Sequence, residues 1–203
     1  MAGYSVPKQN VEVEEVIKGS RFITRLVNVD TVDKAKGYLK SLREQEPTAT
    51  HHCWAYIVGN PQSTTLIGCS DDGEPAGTAG KPMLNVLQHS DVGDLIAVCT
   101  RYYGGTKLGT GGLARAYGGG VKLAMEQLDT CEKINKVELV LNVAYECGKD
   151  LEHIVAQYDA EILNTEYLEA VEYKMLLPSE NRDPLEQQLE LRFGDKIQWK
   201  FIQ

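Results

Sequence analysis

The chain has 203 residues, 42% of them hydrophobic, and a formal net charge of −8, so it can bury a core in one large domain or two small ones. Residues 1–132 carry 13 Lys and Arg against 15 Asp and Glu, and residues 133–203 carry 8 against 14; broad basic surface and DNA binding are not expected, because neutralising phosphates takes clustered cations. A membrane span of about 18 apolar residues and a signal peptide in residues 1–10 are not expected either, and five cysteines without a C-x-x-C pair suit the reduced thiols of a soluble cytoplasmic protein.

In chain order, residues 11–17 and 22–29 are β-rich runs broken by Lys18-Gly19-Ser20, a hairpin signal. Asp30 is placed to cap a helix carrying Val32, Ala35, Leu39 and Leu42 at helical spacing, with Pro47 beyond its end. Strands over 53–58 and 64–69 flank the turn signal Gly59-Asn60-Pro61. A short helix over 82–89 follows, and the apolar run 95–100 suits a buried strand. After a Gly-rich loop, Leu113, Ala116, Tyr117, Val121, Ala124 and Leu128 mark a long helix.

The pattern changes near residues 129–133. Alternating Val137, Leu139, Leu141 and Val143 predict a half-buried strand, Leu151, Ile154 and Val155 a helix, and 160–163 a short strand. Val171, Tyr173, Met175 and Leu177 alternate again. Asp183, Pro184 and Glu186 read as cap, first-turn proline and reciprocal acid of a helix that Gly194 stops, before a last strand with Ile197, Trp199 and Phe201. The order β-α-β-β-α-β is that of a ferredoxin-like unit, and the expected domains are 1–132 and 134–203.

Two segments could carry chemistry, residues 70–82 and 101–117. Between 103 and 120, 8 of 18 residues are glycine. A Gly-rich loop between a buried strand and a helix start offers free N–H groups and a helix dipole to an anion. The residues expected around such an anion or nucleic acid are Arg101, Tyr102, Gly104, Gly105, Lys107, Gly109, Gly111, Gly112 and Arg115. The alternative is structural, with glycines serving tight turns and close helix–sheet packing. The segment is not a Walker A loop, since Thr110 stands where Lys must follow Gly109, and no G-x-G-x-x-G has its acidic partner.

The second motif contributes Asp71, Asp72, Glu74 and Lys81. Its carboxylates either bind Mg²⁺ or form a turn accepting from the following backbone N–H groups, and the turn is favoured. His51 and His52 point to opposite faces of a strand, so zinc with Cys53 is not expected. A Cys53 or Cys69 nucleophile with His52 or His89 as base is weighed against small buried core cysteines, and the core reading is favoured for Cys99 above all.

Residues 71–82, 101–117 and His51-His52-Cys53-Trp54-Ala55-Tyr56 closely resemble the signature of the IMPACT family, over roughly residues 15–130. The rest resembles the accessory domain of its bacterial, YigZ-type members. The resemblance implies an α+β chain: a ribosomal protein S5 domain 2-like N-terminal domain followed by a ferredoxin-like C-terminal domain, similar in tandem to the last two domains of elongation factor G. Eukaryotic members regulate translation with an added RWD domain, which is not expected here. The resemblance supplies no catalytic residues. The reading is a non-enzymatic, translation-associated regulatory or RNA- or ribosome-binding protein, without cofactor or metal. Its expected partners are the ribosome, RNA or a translation-related protein. The competing reading is a phosphate-ester or nucleotide-handling enzyme, with Lys107 and Arg101 on phosphate and a metal at Asp71 or Asp72.

Overall fold

A computed structural model describes residues 3–64 and 66–202 as two compact units, one spanning Tyr4–Lys133 and the other beginning at Ile134. Both mix helices and strands. Among the described residues no helix is long and apolar enough to cross a membrane.

The first unit runs β1 (Tyr4–Pro7), β2 (Val11–Ile17), β3 (Ser20–Asn28), α1 (Val32–Gln45), β4 (His51–Ile57), β5 (Ile67–Ser70), α2 (Gly80–Gln88), β6 (Leu95–Tyr102), α3 (Thr110–Glu126) and β7 (Thr130–Lys133). Its main sheet is antiparallel in the order β2-β3-β6-β4-β5. The central strand β6 is buried along Leu95 to Arg101, because helices cover both faces of the sheet. Val29, Leu39, Leu42, Ile96 and Val98 pack on the α1 side. Phe22, Cys53, Ala55, Met83, Ala97, Cys99, Tyr117 and Val121 pack on the side of α2 and α3. Alternation along β4 and β6 thus assigns each residue to one of two cores.

The β2–β3 turn is Lys18-Gly19, with φ of 47° and 80° and Ile17 opposite Ser20. This is the two-residue primed turn whose twist matches the strands it joins. The cap of α1 is Thr31 rather than Asp30: Thr31 Oγ1 accepts from Lys34 N at 3.1 Å, the third residue on. Asp30 instead pairs with Lys34 Nζ at 2.7 Å. Strand β5 is shorter than the 64–69 read from sequence, and Thr65 lies outside the described residues.

The Gly-rich segment is only partly loop. Chain 103–109 is irregular, but Gly111, Gly112, Gly118, Gly119 and Gly120 are helical. Helical glycine costs roughly 0.5–1 kcal/mol each relative to Ala. Packing offsets that cost, because α3 buries Leu113, Ala116, Tyr117, Val121 and Ala124. At Gly120 an added Cβ would lie 2.5 Å from Thr24 Oγ1 on the sheet.

Strands β1 and β7, not read from sequence, pair antiparallel from Tyr4↔Lys133 to Pro7↔Thr130. Asp94, 1% exposed, ties them down. It accepts from Tyr4 OH at 2.8 Å and from Gly59 N at 2.7 Å, and it pairs with Lys133 Nζ.

The second unit runs β8 (Lys136–Val143), α4 (Gly148–Ala156), β9 (Glu161–Tyr167), β10 (Val171–Pro178), α5 (Arg182–Phe193) and β11 (Ile197–Ile202). Its four-stranded antiparallel sheet is ordered β11-β8-β10-β9. Leu139, Leu141, Tyr173 and Met175 join Leu151, Val155, Leu185 and Leu189 of the two helices in one core. Asp183 is not the cap of α5. The helix starts at Arg182 after Asn181, which makes no side-chain cap bond, so Asp183 and Pro184 lie within the first turn.

Candidate functional site

The two motifs of the first unit meet beneath the α2–α3 face of the sheet. Asp72 and Gly73 have φ of 42° and 88°, and Glu74 N donates to Asp71 O at 2.9 Å. This tight turn sends Glu74 back into the core. There Glu74 Oε1 accepts from Arg101 Nη1 at 2.6 Å and from Tyr117 OH at 2.7 Å. Burial raises the Tyr117 phenol far above its usual range, and Cys53 and Glu74 add to the shift. Arg101 Nη2 donates to Ser20 Oγ at 3.2 Å, and the guanidinium lies between the rings of Phe22 and Tyr103 at 5.2 and 5.3 Å from their centroids. Arg101 is therefore not a free surface cation; it is 5% exposed and neutralised by Glu74.

Asp71 and Asp72 are engaged in holding the backbone. Asp71 Oδ1 accepts from Ala79 N and Gly80 N, both at 2.9 Å, and Oδ2 from Gly77 N at 2.8 Å. It serves the amino end of α2 from a distance, where Ala79 offers no side-chain cap. Burial raises its carboxyl pKa, but the three N–H bonds together outweigh that and hold it below the usual value. Asp72 Oδ2 accepts from His52 N at 2.7 Å, while Oδ1 pairs with Arg43. The carboxylate oxygens that a metal would need already have partners. Among the described residues no group of three or more His, Cys, Asp or Glu is placed to hold a metal ion.

The pairing of Cys53 with His52 as nucleophile and base fails on geometry. His52 bonds Thr100 Oγ1 at 3.1 Å and Glu46 O at 3.2 Å, and strand alternation turns it away from the face that holds Cys53. The Cys53 thiol donates to Asp71 O, and burial pushes its pKa far up. Burial likewise pushes Cys99 up to about 12. His89 closes onto Asn85 O at 2.7 Å.

A cleft of about 540 Å³ opens beside the amino end of α3, lined by Thr50, His51, Glu74, Pro75, Arg101, Tyr103, Lys107, Leu108, Gly109, Thr110 and Leu113. Gly109, at φ 76°, is the residue before α3 and provides no side-chain cap. The first helical bond is Leu113 N to Gly109 O at 2.9 Å, so the N–H groups of Thr110, Gly111 and Gly112 have no partner within the helix. Lys107 forms no ion pair among the described residues. His51 Nδ1 bonds Asp72 O at 2.8 Å, leaving Nε2 3.9 Å from Glu74 Oε1.

Of the residues read from sequence as anion-binding, Arg101, Lys107 and Gly109 line this cleft, while Gly111 and Gly112 follow in the first turn of α3 outside its lining, Gly112 on a separate hollow. Gly105 is exposed on the loop at φ 83°. Gly104 gives its N–H to Ser20 Oγ at 3.1 Å and is packed on Gly19. Tyr102 alternates to the other side of the sheet, under Arg21. Arg115 folds back on Gly111 O at 3.1 Å and lines a separate hollow with Lys18 and Glu15. Lys81 is exposed in the first turn of α2, outside the cleft lining. Sequence reasoning missed Thr50, His51, Pro75 and Tyr103 as cleft residues. The alternation that places His51 and Cys53 on one face was the available signal for His51.

A family model described as the Impact N-terminal domain matches residues 18–125, and one described as a domain of unknown function (DUF1949) matches residues 148–195. The chain belongs to the IMPACT family. It is 46% identical over 179 residues to the IMPACT family member YigZ of Escherichia coli, covering 88% of each chain. The Protein IMPACT of Xenopus laevis is 39% identical over 93 residues, which are 44% of this chain and 29% of that protein. A crystal structure of a hypothetical protein, 42% identical, matches with a TM-score of 0.73, covering 100% of this chain and 98% of that one.

Proposed function

We propose that this chain is a non-enzymatic, translation-associated regulatory protein of the cytoplasm that contacts RNA or the ribosome through the cleft at the amino end of α3. The observation that carries this reading is a division of labour among the charged groups. Asp71, Asp72, Glu74 and Arg101 are bound into the fold. What faces outward is Lys107, an exposed Tyr103 and a helix amino end. These are groups that hold a polyanion and stack on a base. Membership of the IMPACT family supports a role around translation in general. The strand orders support ribosomal protein S5 domain 2-like and ferredoxin-like folds for the two units. Each is proposed to fold alone, with the first fragment ending after Lys133 rather than at 132, since Lys133 pairs with Asp94.

The test is binding of the full chain to ribosomes and to single-stranded RNA across a range of salt. Affinity should fall with salt, and Lys107→Ala should flatten the slope of log affinity on log salt by about 0.7, the value for one contact to single-stranded phosphate. Saturable release of phosphate from nucleotides by the pure protein would overturn the non-enzymatic reading. Absence of salt-dependent binding to either target would overturn the RNA and ribosome reading.

A further inference from the structure

The cleft is too small for a duplex backbone to be read inside it, and its lining mixes charged, apolar and aromatic groups. Its volume of about 540 Å³ lies within the range of small-molecule sites. Its lining includes Lys107 and Thr110, the first residue of α3, whose N–H has no partner within the helix. Pro75, Leu108 and Leu113 of the same lining are apolar, and Tyr103 is 48% exposed with Arg101 against its ring. Because Glu74 is neutralised by Arg101, the positive charge of Lys107 and of the helix end is left over.

A second observation concerns Arg101. It lines the cleft, is 5% exposed, and keeps its buried Nε–H without a hydrogen-bond partner among the described residues. Orphaned buried donors are uncommon, and an absent acceptor is one ordinary reason for them.

We infer that the cleft binds a single nucleotide, its phosphate on Lys107 and the amides of Thr110 to Gly112, its base on the open part of the Tyr103 ring. This rests on the proposed contact with RNA and narrows it to one unpaired nucleotide, either free or within a single strand. Base identity matters little, because every base has a stacking face.

Calorimetric titration of the full chain with uridine 5′-monophosphate, uridine and an eight-residue oligouridine tests this. The monophosphate and the oligomer should compete for one site per chain. Tyr103→Ala should weaken both about tenfold, in line with stacking on an aromatic side chain, and Tyr103→Phe should restore them. Lys107→Ala should weaken both phosphate ligands and leave uridine unchanged. Near-UV circular dichroism checks that the variants stay folded. Oligouridine or ribosome binding that ignores Tyr103→Ala overturns the nucleotide site and leaves the RNA reading standing. Monophosphate binding without affinity for oligouridine or ribosomes does the reverse. No binding of any of these ligands overturns both.

Discussion

Glu74 and Arg101, 27 residues apart in the chain, meet at 2.6 Å with side chains only 4% and 6% exposed. One belongs to a surface-type turn and the other to the end of a central strand, so a single ion pair ties the α2 entry to the sheet. Removing one partner of a buried pair leaves an uncompensated charge, which costs about 3–5 kcal/mol. Glu74→Ala and Arg101→Ala are each expected to destabilise the first unit on that scale. Urea unfolding followed by Trp54 fluorescence, with Trp199 replaced by Phe, measures it. A loss under about 1 kcal/mol would mean that the pair is not what holds this corner. Arg101→Ala is thus unsuitable as a binding variant, although its sequence reads as that of a surface cation.

Asp71 gives the first unit an acid-sensitive joint. Its carboxyl is held below the usual value in the fold, against the opposing effect of burial. A depressed folded pKa contributes stability that is present above the unfolded value near 4 and is lost as pH falls through the folded value. Asp71→Asn should therefore cost about 1–2 kcal/mol at neutral pH, the scale of a lost helix cap. The gap between variant and wild type should shrink below about pH 4. Denaturant midpoints of the two proteins at pH 7 and pH 3 check this, and a gap that stays constant would count against the bonds from Gly77, Ala79 and Gly80.

The glycines should separate into opposite classes. An added Cβ at Gly104 would lie 1.9 Å from the Gly19 carbonyl oxygen, whereas at Gly119 nothing stands within 4 Å. Gly104→Ala should be strongly destabilising, by about 2 kcal/mol or more, because two backbones must part. Gly119→Ala on the exposed face of α3 should stabilise by roughly 0.5–1 kcal/mol. Thermal melts of the two variants decide the matter, and equal effects would contradict it.

The alternating strands and the Lys18-Gly19 hairpin were legible because each is written in a few consecutive residues. The pairing of β1 with β7 was not, since two four-residue strands at opposite ends of the unit carry no local pattern of their own. The helix after the Gly-rich loop was legible from Leu113 onward by its apolar spacing, whereas its start at Thr110, which makes Gly111 and Gly112 helical, was not. The site was half legible. Lys107 and Gly109 fall on the cleft, but nothing near Arg101 in the chain announces that Glu74 will meet it. Nor does Asp71 reveal in sequence that its hydrogen bonds go to the entry of the next helix.

The contact of Gly104 with Gly19 has no side chain between the two backbones to give way. Ser20 Oγ reinforces it by accepting from both Gly104 N and Arg101 Nη2. Gly104, where the loop begins, and the tip of the β2–β3 hairpin therefore move together. The root of the loop at Gly104 cannot move toward the cleft unless the hairpin tip moves with it. That anchorage comes from the neighbouring hairpin rather than from the loop's own sequence, so a chain rich in glycine still leaves the strand from a fixed point.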